Sequence, residues 1–187
     1  MVQKPLLVIF IGVPGSGKTY FGSRLADKID AMRLNSDAMR MAIFGSVDAL
    51  TKVYHSKQRP TVNTYTFGAM DYAAKQILAT GRSVIYEAIQ QKKADRRHME
   101  ALADECHAKL VLVSMKVDEE LAIQRTTQRE AKDDSRKFDE KKAREVVTHF
   151  RDTFQPLERT DYVVEISGVV PFEDQYKSFC EQLAKIR

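Results

Sequence analysis

The stretch LVIFIGVPGSGKTY, residues 7–20, constrains this chain more than any other. Residues 6–11 form an uninterrupted apolar run, as expected of a strand buried on both faces. Three glycines, Gly12, Gly15 and Gly17, follow at once, and the chain then enters a helical pattern at Lys18. Glycine tolerates the backbone angles that turn successive N–H groups inward, and a helix N-terminus adds partial positive charge. A strand, such a turn and a helix together make a cradle for phosphate oxygens. Gly12, Gly17, Lys18 and Thr19 complete G-x-x-x-x-G-K-[ST]. The expected nucleotide-contacting set is Gly12, Pro14, Gly15, Ser16, Gly17, Lys18, Thr19 and Tyr20. Lys18 supplies a point charge for the β- and γ-phosphates of ATP, and the Thr19 hydroxyl is the expected Mg²⁺ ligand.

The rest of the chain alternates between two hydrophobic periods. Strands are expected at 6–11, 31–34, 84–88, 110–117 and 162–166. Helices are expected at 18–29, 37–44, 65–80, 93–107, 118–129, 140–154 and 172–186. Residues 47–63 read as irregular and polar. Alternating strands and helices imply an α/β fold with a parallel sheet covered on both faces. Five parallel strands in the order 2-3-1-4-5 are expected, with helices on both sides, in a single domain over residues 1–187.

Three further stretches carry chemistry. RLNSDAMR, residues 33–40, follows the second strand and so lies at the carboxyl edge of the sheet, where open α/β folds bind ligands. Asp37 and Arg40, three apart on one helix, face the same way. Asp37 can accept the proton of an attacking hydroxyl, and Arg40 can hold an anionic group on the acceptor. Alternatively Asp37 is a helix cap and Arg40 a solvated side chain. QRTTQREAKDDSRKFDE, residues 124–140, places Arg125 and Arg129 four apart before a polar stretch and another helix. It reads as a helical lid over about 124–140, with Arg129 on the transferring phosphoryl group and Arg125 along the nucleotide, or as an ordinary wet helix face. Arg136 and Lys137 are weaker lid candidates. Glu87, ending the third strand, is expected to hold a Mg²⁺-bound water or the acceptor, or else to cap a strand end in solvent. Tyr54, Tyr65 and Phe67, interleaved with His55, Lys57 and Arg59, form either an acceptor wall or core packing.

Other classes fit less well. No guanine-reading N-K-x-D is present, and no expected strand contains the paired acids of a motor ATPase, since Asp118-Glu119 after residues 110–117 read as the start of a helix. The four histidines and two cysteines show no metal-ligand spacing, and buried thiols in a reducing cytoplasm are expected. No apolar run approaches the roughly 18 residues of a membrane span. The net charge of +4 permits an anionic partner without requiring one.

Taken together, GVPGSGKT, NSDAMR and RTTQRE resemble the P-loop kinases that include phage polynucleotide kinase and the AAA_33-type kinases. Zeta-toxin-like and chloramphenicol phosphotransferase enzymes are more distant kin. The resemblance covers nearly the whole chain and implies a P-loop NTPase fold. It also implies Asp37 as general base, Arg40 on the acceptor phosphate and Arg129 bridging phosphates in the transition state. Relatives often end the third strand in Asp-Ala-Thr-Asn, whereas this chain has Glu87-Ala88-Ile89-Gln90. No D-x-D-x-T phosphatase motif occurs. The expected activity is ATP·Mg²⁺-dependent phosphorylation of a hydroxyl, with a nucleic-acid 5′-hydroxyl as the first reading. A small metabolite, nucleoside, nucleotide-sugar or antibiotic hydroxyl is the alternative, and a non-catalytic ATP-binding module the second alternative.

Overall fold

The computed structural model describes residues 4–54, 56–128, 138–158 and 162–186. Strand β1 (Leu6–Ile11) leads through the glycine turn into helix α1 (Lys18–Lys28). Then come β2 (Met32–Asn35), α2 (Ser36–Phe44), α3 (Val47–Tyr54), α4 (Arg59–Ala79), β3 (Val84–Glu87) and α5 (Lys93–Glu105). The chain continues through β4 (Lys109–Lys116), α6 (Glu119–Gln128), α7 (Glu140–Thr153), β5 (Val163–Ser167) and α8 (Phe172–Leu183).

The five strands form one sheet in the order β2-β3-β1-β4-β5, every pairing parallel. The apolar run of β1 is central because both its faces are covered. Val8 and Phe10 join Phe21 and Leu25 of α1 and Phe172 and Phe179 of α8 on one side. Leu7, Ile9 and Ile11 join Met70, Ala74 and Leu78 of α4 and Met99 and Leu102 of α5 on the other. The period-two alternation of a strand thus feeds two cores. β1 lies at the point where the strand order reverses, and its carboxyl end opens into the crevice that such sheets use for ligands.

The region expected to be irregular, 47–63, is mostly helical. It contains α3 and the first turn of α4, which has a proline in its opening turn. Proline is tolerated there because the first N–H groups of a helix lack partners anyway. The stripe Val62, Thr66, Met70, Ala74 and Leu78 is buried at a spacing of four. Its first members lie among polar residues, so the apolar period shows only from about residue 65.

Helices α6 and α7 pair with each other. Ile123, Ala143 and Val147 form a small cluster that Val13 of the glycine turn and Phe138 pack against. Arg144 bonds Glu120 at 2.7 and 3.1 Å, and Arg151 reaches Glu119 at 3.2 Å, across the same two helices. The helices of the expected lid are therefore in contact with the glycine turn. Residues 129–137, between them, lie outside the described residues, and with them Arg129, Arg136 and Lys137.

Candidate active site

The glycine turn has the geometry its sequence requires. Gly12, Gly15 and Gly17 have φ values of 144°, 83° and 95°, in the region that favours glycine. Space is as restrictive as angle. A Cβ at Gly15 would stand 2.2 Å from the Ala122 carbonyl oxygen, and one at Gly12 2.9 Å from that of Met115. The side chain of Ser16 is fully buried beneath the turn. Lys18 Nζ donates to the carbonyls of Gly12 (2.7 Å) and Val13 (2.9 Å). Its ammonium therefore stays inside the turn. Thr19 is exposed on the first turn of α1. Tyr20 is also exposed, with its ring stacked under the Arg24 guanidinium at 3.8 Å.

Two residues from later in the chain close against this turn. Gly168, just after β5, is so near that a Cβ would lie 2.3 Å from the Ser16 carbonyl oxygen. Arg125 Nη1 donates to the Gly168 carbonyl at 2.8 Å. Arg125 thus ties α6 to the segment that flanks the cradle. Gly168 carries no sequence signal of its own, because only the fold places it against residue 16.

The second half of the site lies beyond β2 and β3. Asn35, the last residue of β2, caps α2 by accepting from the amides of Asp37 (3.0 Å) and Ala38 (2.9 Å). Asp37 is therefore in the first turn rather than the cap. Its carboxylate is largely exposed and accepts from Arg40 Nη1 at 2.8 Å. Arg40 is buried, reaches Asn63 Oδ1 with Nη2 at 3.2 Å, and lies 5.5 Å from the Phe67 ring. It is not the solvated side chain that its sequence context allowed.

Glu87 is not a solvent cap either. Its side chain is only 8% exposed, and both oxygens have protein partners. Oε1 accepts from Arg33 Nε at 2.8 Å. Oε2 accepts from Arg33 Nη2 at 2.9 Å and from Asn35 Nδ2 at 2.7 Å. Glu87 thus holds the residue that caps α2. No motif pointed to Arg33 or Asn35, although both lie within the quoted RLNSDAMR.

A cavity of about 440 Å³ opens beside Asp37 and Arg40. Arg59, Asn63 and Phe67 of α4 line it, as do Tyr86, Gln90 and His98. Phe67 and Arg59 of the expected aromatic wall therefore border the cavity, whereas Tyr65 is exposed elsewhere on α4. His55 lies outside the described residues. Asp71 of α4 accepts from the Tyr86 hydroxyl and pairs with His98 Nε2, both at 2.7 Å. Burial, reinforced by the Asp71 carboxylate, pushes the Tyr86 phenol far above its usual range, so it remains a donor. The turn after β3 is fixed from below by Arg96. Its guanidinium donates to the Gln91 carbonyl (3.2 Å) and to the Gln155 and Pro156 carbonyls (3.0 and 2.8 Å).

The phosphate turn fits a nucleotide and Mg²⁺. Its backbone leaves no room for a Cβ at Gly12 or Gly15, and a lysine ammonium sits within it. Among the described residues no group of three or more His, Cys, Asp or Glu side chains could hold a metal. A Mg²⁺ would therefore rely on Thr19, water and phosphate oxygens, as this ion commonly does. Cys106 is half-buried and Cys180 exposed, so only one of the two comes near the expected buried thiol. No helix among the described residues is long and apolar enough to cross a membrane.

Comparison with known proteins gives the same fold. The model of the AAA_33 family, described as an AAA domain, matches residues 7–157. No curated protein matches the sequence. A gluconokinase from Sinorhizobium meliloti 1021 superposes with a TM-score of 0.65 at 16% identity, over 98% of this chain and 94% of that one. A sugar kinase from Janibacter sp. HTCC2649 gives 0.67 at 16% identity, over 97% and 95%. The APS kinase of Mycobacterium tuberculosis, in complex with AMPPNP and APS, gives 0.66 at 15% identity, over 97% and 98%. The architecture is thus that of the P-loop kinases, in the strand order expected from the sequence.

Proposed function

We propose that this chain, which belongs to the AAA_33 family of AAA domains, is a single-domain ATP·Mg²⁺-dependent kinase of a small-molecule hydroxyl. The observation that carries this reading is the placement of Asp37 and Arg40. They sit on the border of a 440 Å³ cavity at the same sheet edge as the phosphate turn. That volume is in the lower half of the roughly 300–1,000 Å³ typical of small-molecule sites. The gluconokinase, the sugar kinase and the APS kinase that share the fold support the same acceptor class.

In this reading the backbone of residues 12–17 and the Lys18 ammonium bind the phosphates, and Thr19 holds Mg²⁺. Bound Mg²⁺ supplies charge neutralisation on the phosphate oxygens. The acceptor hydroxyl oxygen bonds to the γ-phosphorus as the bond from that phosphorus to the ADP oxygen breaks. ADP leaves with the electron pair, and the hydroxyl proton passes to Asp37. Arg40 orients the acceptor together with Asp37, Arg125 flanks the nucleotide, and Arg129 is assigned to the transferring group. Glu87 acts one step back, through Asn35.

A polynucleotide 5′-hydroxyl is the second reading, favoured by the Asp37–Arg40 spacing that resembles polynucleotide kinase. Incubation with γ-labelled ATP and matched acceptors tests both. Label should pass to a small alcohol in the wild type and not in Lys18→Ala. Label on an oligonucleotide alone would replace the acceptor class. ATP binding without transfer to any acceptor would leave a non-catalytic nucleotide-binding module.

A further inference from the structure

Gln90 is 4% exposed, lines the cavity beside Asp37, and has no hydrogen-bond partner for Oε1 among the described residues. A buried acceptor left unmatched is costly, because it has lost its water without gaining a partner. Nor is Gln90 adrift. Its own carbonyl and that of Gln91 receive the buried Arg96 guanidinium, which also grips the chain at Gln155 and Pro156. The backbone that carries this amide is therefore held on several sides.

His98 lines the same cavity. Asp71, whose other oxygen is committed to Tyr86, accepts from its Nε2. A carboxylate has no proton to give, so the hydrogen lies on Nε2. In the neutral ring Nδ1 is then an acceptor. Gln90 Oε1 is thus an acceptor among the residues that line the cavity, and His98 Nδ1, when its ring is neutral, is a second. A phosphodiester backbone offers acceptors almost exclusively. A polyol offers several hydroxyls, each able to donate.

We propose that the phosphoryl acceptor is a polyol, with Gln90 accepting from one hydroxyl beyond the reacting one and His98 from another. This rests on the kinase reading above and makes Gln90 and His98 specificity-determining residues. At Gln90, which is buried, an analogue lacking that hydroxyl is rejected because the amide oxygen is then left unmatched.

The test uses the full chain with γ-labelled ATP. The acceptors are D-glucose, D-mannitol, D-gluconate, D-ribose 5-phosphate, homoserine and a 5′-hydroxyl oligodeoxynucleotide. Transfer to at least one polyol is expected. For that polyol, Gln90→Leu should raise acceptor KM by about 10–100-fold with the KM for ATP unchanged. Monodeoxy analogues of the same polyol, tried on the wild type, need no variant to fold. One of them should lose as much as Gln90→Leu does, and lose nothing further in that variant. Transfer to homoserine or the oligonucleotide alone would overturn the polyol assignment and leave the kinase reading standing. Independent, additive losses for Gln90→Leu and every deoxy analogue would overturn the role of Gln90. ATP binding with no transfer to any acceptor would instead overturn the kinase reading itself.

Discussion

Asn35 Nδ2 donates to Glu87 Oε2 at 2.7 Å while Asn35 Oδ1 caps the Asp37 amide at 3.0 Å. One side chain thus connects the end of β3 to the helix that presents Asp37 and Arg40. Losing an N-cap costs about 0.5–2 kcal/mol. Asn35→Ala should therefore lower Tm by a few degrees, roughly 2–4 °C per kcal/mol at this size. Glu87→Gln keeps the shape but weakens the Arg33 pair. It should lower kcat for the acceptor while leaving the KM for ATP near wild type. Steady-state kinetics with each substrate varied in turn checks this. A kcat equal to wild type would remove Glu87 from the support of the site.

Asp37→Asn preserves size and an oxygen that can still accept from Arg40. It removes the group proposed to take the hydroxyl proton. Turnover should fall by about 10²–10⁴-fold, the usual worth of a general base. Nucleotide binding, read by titration with a non-hydrolysable ATP analogue, should be unchanged. Because Asn35 and not Asp37 is the cap, Tm should barely move.

Gly168→Ala places a methyl group 2.3 Å from the Ser16 carbonyl oxygen, so the cradle or the end of β5 must shift. ATP affinity should fall by at least tenfold, while acceptor KM at saturating ATP changes little. The same substitution at Gly45, where a Cβ meets nothing within 4 Å, tests φ alone, since its φ of 72° still disfavours alanine. It should cost modest stability without weakening ATP.

The Tyr86 phenol is raised by burial first and by its bond to Asp71 second. A free tyrosine ionises near pH 10. Below that pH both folded and unfolded states keep the proton, so the contribution to stability is full and level. Above it the unfolded state loses the proton first, and the contribution declines as pH rises. Tyr86→Phe should therefore remove part of the fall in Tm between pH 9 and 11, measured against the wild type. An identical alkaline slope in both proteins would contradict this account.

Local chemistry determined much of this protein. The apolar run 6–11, the glycines after it and Lys18–Thr19 specify a strand, a phosphate turn and a helix whatever follows, because each depends on near neighbours in the chain. Strong strand and helix periods likewise specified a parallel sheet, and the resemblance to P-loop kinases implied its order. The helix from Arg59 was legible only in part, because its buried stripe begins among polar residues. Tertiary structure decided the rest. Glu87 is drawn away from solvent by Arg33, which is distant in sequence but lies on the strand paired with its own. Gly168 matters only because β5 ends against Ser16. Gln90 comes from a turn and His98 from a helix, and only packing brings them to one cavity, with Asp71 of another helix bonded to His98. Such contacts depend on distances across the fold, which no spacing along the chain records.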